Sequence, residues 1–235
     1  MNKLKLEIGM DVTELLGIVK YDPPLPAELA GVAKGFFPSF IPKTDEERIQ
    51  NLADKYGELK EGNLYYATEK LDGTSTTFFI NNGEFGVCTR NLELLETDGN
   101  TIWRLARELK LEEKFREYGG NFALQGECIG EGIQGNPYKL KGQTIKFFNV
   151  FDIDTHTYFD LSMFKKFMEE QGLETVPLFF LNFELPKTIE EIIVLANGPS
   201  LLNPLTNREG LVIRSIDREI SFKVISNTYL LNNEK

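Results

Sequence analysis

Histidine is almost missing from this chain of 235 residues, where His156 is the only one. Catalysis by a histidine pair or a histidine-centred triad is therefore excluded. Cysteine is nearly as scarce. Cys88 and Cys128 stand far apart, each in an apolar strand-like run, which excludes a cysteine-rich zinc site. Both thiols read as buried and reduced. No apolar run is long enough to span a bilayer and no signal-peptide pattern is present, so no membrane is expected and the location is expected to be cytoplasmic or nuclear. Positive charge is in deficit, with a formal net charge of −10. That argues against a nonspecific grip on nucleic acid by the whole surface, and leaves room for a local basic groove. The glycine-rich run 126–135 lacks a Gly-Lys-Ser/Thr ending and precedes no helix, so it is not a Walker loop. Internal repeats and low-complexity segments are also lacking.

What remains is an ordinary globular composition, 41% hydrophobic and 11% aromatic, long enough for one large domain or two small ones. Leu4, Leu6 and Ile8 alternate like a strand, Asp11 to Gly17 fits one helical turn, and Tyr21 to Pro26 is a proline-stiffened connector. Residues 1–35 thus read as an extension or linker, and 36–235 as the main domain. Thr44 to Glu47 has a capping-box pattern that predicts a helix through about Lys55. Strands are expected at 64–70, 74–80 and 84–91, with a hairpin at Asn81-Asn82-Gly83. A helix over 100–118 would bury Ile102, Leu105, Ala106 and Leu109. Further strands are expected at 121–129, 144–153, 210–215 and 219–225, and helices at 161–171, capped by Asp160, and from Thr188 to about Leu195. The pattern is α+β, antiparallel strands with helices inserted.

One heptapeptide carries the chemistry: Glu69-Lys70-Leu71-Asp72-Gly73-Thr74-Ser75. A lysine at the end of an apolar run, two residues before an Asp-Gly turn, can be held in a pocket as a nucleophile. Taken alone the pattern also fits a strand ending in a tight turn with a surface lysine. A free lysine has a pKa of about 10.4, so attack on phosphorus requires the neutral fraction to rise, and burial or nearby cations achieve that. Arg90, Arg214 and Lys223 are the cations on offer. Glu127 and Glu209 are carboxylates that could hold a divalent metal.

The series continues in order. Arg90 follows, then 124–130 (Leu-Gln-Gly-Glu-Cys-Ile-Gly), 148–153 (Phe-Asn-Val-Phe-Asp-Ile), 208–214 (Arg-Glu-Gly-Leu-Val-Ile-Arg) and 221–225 (Ser-Phe-Lys-Val-Ile). This series resembles nucleotidyltransferase motifs I, Ia, III, IIIa, IV and V of the covalent nucleotidyltransferases, the polynucleotide ligases and mRNA capping enzymes. Within them it is most similar to ATP-dependent RNA ligases, in the branch with an OB domain ahead of the catalytic domain. The segment 37–51 and the ending 221–227 carry that finer likeness. The resemblance runs from about residue 36 to the C-terminus.

The resemblance implies an α+β nucleotidyltransferase (ATP-grasp-like ligase) domain with a nucleotide pocket between antiparallel sheets. Lys70 would attack the α-phosphorus of ATP and carry AMP. The backbone at Thr68 and Glu69 would read the adenine edge, and Asp72 and Gly73 would belong to the same nucleotide site. Glu127 would bond the ribose hydroxyls, with Arg90 nearby. Phe151 and Val212 would sandwich the base. Glu209, with Glu127, would hold Mg2+ or Mn2+. Lys223 would contact the AMP phosphate, and Arg214 would meet phosphates. The implied partners are RNA ends or a nicked RNA-containing duplex, met by a monomer. Such ligases commonly carry Lys-x-Lys in motif V. Here the second position is Ile225, with Arg214 and Lys43 as candidates for the lost contact. No OB module fits within residues 1–35, and the strand-like, proline-ended start favours an excised domain whose OB module lies elsewhere. Competing readings are a DNA ligase or capping guanylyltransferase core, or a catalytically silent end-binding subunit.

Overall fold

The computed structural model describes residues 10, 12–13, 15–18 and 24–233. The strand expected at Leu4 to Ile8 lies outside the described residues, as do Asp11, Glu14 and Tyr21 to Pro23. Of the helical turn expected there, Leu16 N–H donates to the Val12 carbonyl at 2.9 Å. In chain order the elements begin with β1 (Ala33–Phe36), β2 (Glu47–Arg48), α1 (Tyr56–Lys60), β3 (Tyr65–Lys70), β4 (Thr74–Asn81), β5 (Glu84–Thr89) and β6 (Leu92–Leu94). Next come α2 (Thr101–Glu108), α3 (Leu111–Tyr118), β7 (Phe122–Gly130), β8 (Gln143–Asp152), β9 (Thr157–Tyr158) and α4 (Leu161–Gln171). The last are β10 (Leu178–Phe183), α5 (Ile189–Ala196), β11 (Gly210–Ser215), β12 (Ser221–Ile225) and α6 (Asn227–Asn233).

Two sheets result, with strand orders β1-β6-β5-β4-β7-β8-β9 and β10-β3-β11-β12-β2. Every pairing is antiparallel except that of β2 with β12. The period-2 alternation of the strands sorts the core into layers. Phe78, Leu124, Phe147 and Val150 face outward from the larger sheet and pack with Trp103, Leu105, Phe115 and Phe167 of α2, α3 and α4. Tyr65, Ala67, Leu211, Ile213, Phe222 and Val224 form the corresponding outer face of the smaller sheet, against Tyr56 and Ile192. The opposite faces of both sheets border the space between them.

Three expectations are corrected. The Thr44 capping box does not form. Glu47 joins β2, the turn at Ile49–Lys55 is 3-10 with no side-chain cap, and the α-helix starts only at Tyr56. The Thr44 hydroxyl instead meets Ser75 Oγ at 3.0 Å. The expected helix over 100–118 is two helices, broken at Lys110, whose φ is 53°. A continuous helix would turn Leu111 and Phe115 away from the stripe of Ile102, Leu105 and Ala106. The break lets both reach the core. The main body also begins before Phe36, because Ala33 already pairs with Leu94. The remaining caps follow sequence. Asp160 accepts from Met163 N at 2.7 Å, and Thr188 forms its capping box with Glu191. Among the described residues no helix is long and apolar enough to cross a membrane.

Arg208 ties the loop ahead of β11 to the end of α5. It is buried, and its guanidinium donates to the carbonyls of Ala196 (2.9 Å), Pro199 (3.0 Å) and Leu195 (2.7 Å), and to that of Asn197, while lying 4.2 Å over the Phe179 ring. Removing it strands buried carbonyls. Arg208→Ala is expected to cost about 3 kcal/mol in urea unfolding.

Candidate active site

A cavity of about 420 Å³ opens between the sheets. The register of the smaller sheet arranges its wall in cross-strand rows. Lys70 faces Gly210, which faces Ile225. Thr68 faces Val212, which faces Lys223. Tyr66 faces Arg214, which faces Ser221. Successive rows alternate with the outer face, so Lys70 stands at one end of the cavity and Arg214 about 13 Å further in along the strand. Gly210 is required in the first row. A Cβ there would lie 2.1 Å from the Val224 carbonyl oxygen.

At the Lys70 end, Nζ lies 2.6 Å from Glu209 Oε1. Glu127 reaches the same place from β7, whose close approach depends on Gly73. A Cβ at Gly73 would lie 2.4 Å from the Cys128 carbonyl oxygen and 2.9 Å from Glu127 Cγ. Burial pushes the Glu127 carboxyl up to about 8, Lys70 opposes, and Glu209 and Asp72 add to the rise. Burial also raises Glu209, against the pull of Lys70. The amine thus stands among three carboxylates, two of them the expected Glu127 and Glu209, and the charge of Lys223 reaches Glu209 as well. Glu127 and Glu209, the carboxylates expected to hold a divalent ion, both line the cavity. Among the described residues no three His, Cys, Asp or Glu side chains make a metal site by themselves. Two carboxylates do suit an ion that takes its other ligands from phosphates and water.

The arginines are held elsewhere. Arg90 lines the cavity and pairs with Asp45 at 2.6 Å. Arg214, 2% exposed, donates to Glu46 Oε1 at 3.0 Å and to Thr68 Oγ1 at 3.2 Å, and its guanidinium lies 5.6 Å over the Phe148 ring. Arg214, expected to meet phosphates, lines the cavity two rows further in than Lys70. Lys43 does not replace the second motif V lysine either. It donates to Asn91 Oδ1 at 2.9 Å and is not among the residues lining the cavity. Ile225, nearly buried, keeps the row of Lys70 apolar. Lys223 lines the cavity in the row behind.

Phe151 is the clearest displacement. It packs with Ile41, Phe79 and Ala123 and lies 5.1 Å from the Tyr158 ring, outside the cavity. Phe148 lines the cavity in its place. The cause is a bulge. Gln125 pairs with Asn149 and Gly126 with Phe147, which leaves Phe148 unpaired and aimed inward. Val212 lines the opposing wall as expected, with Thr68 beside it. Glu69 lines the cavity, its Oε2 accepts from Leu201 N–H at 2.8 Å, and its own N–H is spent on Pro177 O at 2.9 Å. Sequence reasoning missed the tyrosines at the Asp-Gly turn. Asp72 N–H donates to Tyr138 Oη at 2.6 Å, and Tyr229 Oη donates to Asp72 Oδ2. It also missed Asp45 and Glu46, whose acidity was absorbed into the capping-box reading. Cys88 and Cys128 are free and buried as expected.

A family model described as RNA ligase matches residues 63–225. Solved structures of a Naegleria gruberi RNA ligase match as well. A variant with AMP and Mn aligns with a TM-score of 0.83 at 43% identity, covering 97% of this chain and 68% of that one. A second variant, with ATP and Mn, has the same TM-score and identity and covers 97% and 69%. The protein with PPi does likewise, covering 97% and 68%. The chain belongs to the RNA ligase family. No curated protein matches. The ligase therefore keeps the expected α+β nucleotidyltransferase fold, with a cavity between the sheets lined by Lys70, Arg90, Glu127, Glu209, Val212 and Lys223.

The raised Glu127 carboxyl makes the ligase's stability depend on pH. A carboxyl whose folded pKa is raised favours folding most when protonated, below its ordinary value of 4.5, and loses that contribution as pH climbs through about 8. Glu127→Gln cannot ionise. Its melting temperature is expected to match the parent at about pH 5 and to exceed it at about pH 9, read by thermal unfolding at the two pH values.

Proposed function

We propose that Lys70 is the nucleophile of an ATP-dependent RNA ligase and carries AMP to an RNA end. The observation that carries this is the Lys70 amine, 2.6 Å from Glu209 and close to Glu127, at one end of a cavity whose inner walls are Phe148 and Val212. The likeness to a ligase solved with ATP and Mn, AMP and Mn, and PPi supports the choice of nucleotide. The base lies between Phe148 and Val212, an apolar slot for a flat ring. Arg214, held by Glu46, stands at the inner edge of that slot. The α-phosphorus then lies toward Lys70 and Lys223, where positive charge offsets the charge that develops on transfer. Glu127 reaches the ribose or the metal from the facing sheet.

In the first step Lys70 Nζ forms a bond to the α-phosphorus. The bond from that phosphorus to the bridging oxygen breaks, and pyrophosphate leaves. The proton shed by the amine has the Glu209 carboxylate at 2.6 Å to receive it. Glu127 and Glu209 would hold a divalent cation, which would supply charge that offsets the phosphates. AMP then passes to a 5′-phosphate, and a 3′-hydroxyl displaces it to seal the strand. Nicked RNA-containing duplex as the substrate, a single copy of the chain as the working form, and a separate OB module that grips the duplex belong to the same proposal.

Mass spectrometry of the chain after incubation with ATP and Mn2+ tests the first step. One AMP adduct on Lys70 is expected, and none in Lys70→Ala. An adduct that survives that substitution, or one formed from GTP and not ATP, would overturn the reading. Two phenylalanines separate slot from core. Phe148→Ala should raise the ATP concentration for half-maximal adenylylation about tenfold with little change in melting temperature. Phe151→Ala should instead cost about 3–5 kcal/mol of stability.

A further inference from the structure

Asp72 has no task in the reaction steps, yet it is the most heavily braced residue of the turn that follows Lys70. Its N–H donates to Tyr138 Oη at 2.6 Å, and its carboxylate accepts from Tyr229 Oη. The next carbonyl, of Gly73, accepts from Gln134 Nε2 at 3.2 Å. Tyr138 comes from the loop between β7 and β8 and Tyr229 from α6, so two segments outside the Lys-x-Asp-Gly turn hold it in place.

The Tyr229 contact closes a ring. Ser226, fully buried at the end of β12, donates its N–H to the Glu209 carbonyl at 2.8 Å. Its hydroxyl accepts from Tyr229 N–H at 3.2 Å and donates to Asn197 Oδ1 at 2.9 Å. Four residues, 226–229, therefore bind Glu209 at one end and Asp72 at the other. Glu209 and Lys70 are the two members of the 2.6 Å pair. The path runs from Lys70 through Asp72, Tyr229 and Ser226 to Glu209, and back to Lys70.

Resting on the reading of Lys70 as nucleophile, we propose that Tyr229 is a positioning residue, whose hydroxyl latches Asp72 and so fixes Lys70 relative to Glu209 for attack on the nucleotide. The latch explains how the site does without a second motif V lysine in the row of Lys70. Ile225 leaves that row apolar, and the neighbouring α6 supplies a neutral donor that bonds the turn instead of the nucleotide. Burial pushes the Tyr229 hydroxyl above its ordinary value, so it stays a donor throughout the working pH range.

The test compares the rate of AMP uptake on Lys70 in the parent chain, Tyr229→Phe, Asp72→Ala and the double variant. Phenylalanine keeps the ring and removes only the donor. Tyr229→Phe is expected to slow uptake about tenfold at saturating ATP, because small displacements of reacting atoms are costly, with the KM for ATP within about twofold of the parent. In the Asp72→Ala background the same change should cost nothing further, since the tyrosine acts through Asp72. Parent rates in Tyr229→Phe would overturn the latch. So would a loss that appears in KM alone, or losses that multiply in the double variant. A parent chain that takes up AMP at a residue other than Lys70, or takes up none, would overturn the nucleophile reading itself and the latch with it.

Discussion

The register of β3 against β11 is the constraint from which the site follows. Lys70 opposite Gly210 places the amine one residue from Glu209, and the pair meets at 2.6 Å. The same register sets Thr68 beside Val212 and Tyr66 beside Arg214. Because side chains alternate across a strand, slipping the pairing by one residue would turn all of these outward and bring Ala67 and Ile213 into the cavity. The outer face prevents that slip. Tyr65, Ala67, Leu211 and Ile213 are buried there, and exposing them would cost more than the cavity side gains. The hydrophobic packing of one face thus positions the chemistry of the other.

Three carboxylates stand round one amine at the Lys70 end of the cavity. Glu127 and Glu209 are both raised by burial, and Lys70 opposes the rise in each. The charge of Lys70 therefore favours the ionised acids against the burial that raises them. On the proposed reading, a divalent ion arriving with the triphosphate would add positive charge beside Glu127 and Glu209. The turn that follows Lys70 is held by Tyr138 and Tyr229, the second bonded to the Asp72 carboxylate that itself acts on both acids.

Much of this was legible in sequence, for reasons that differ by residue. Short apolar runs bounded by turn residues announce strands buried on both faces, so β3, β4, β7, β11 and β12 fall where 64–70, 74–80, 121–129, 210–215 and 219–225 were expected. Asp160 and Thr188 cap their helices because capping is local chemistry. The α2–α3 break was hidden, since a helical stripe and two out-of-phase half-stripes look alike until Leu111 and Phe115 find the core. Phe148 was hidden by a bulge. Counting in twos along β8 cannot reveal an extra residue, and only the pairing of Asn149 with Gln125 does. The partners of Arg214 and Asp72 were beyond reach in principle. Glu46 is 168 residues from Arg214, and Tyr229 is 157 from Asp72.

The segment 42–47 shows what those long-range partners accomplish together. Pro42 O accepts from Gln125 Nε2 at 2.8 Å, Thr44 meets Ser75, and Asp45 takes Arg90, all on the larger sheet. Glu46 takes Arg214 and Ser221 on the smaller one. Six consecutive residues therefore bridge the two walls of the cavity and neutralise two of its guanidiniums. A pocket with those two arginines unpaired would attract any polyanion. With both paired, Lys223, whose charge reaches Glu209, is the cavity cation nearest the end to which the proposed reading assigns the phosphates. Selectivity of placement thus comes from acids that quench the wrong cations as much as from bases that meet the right anion.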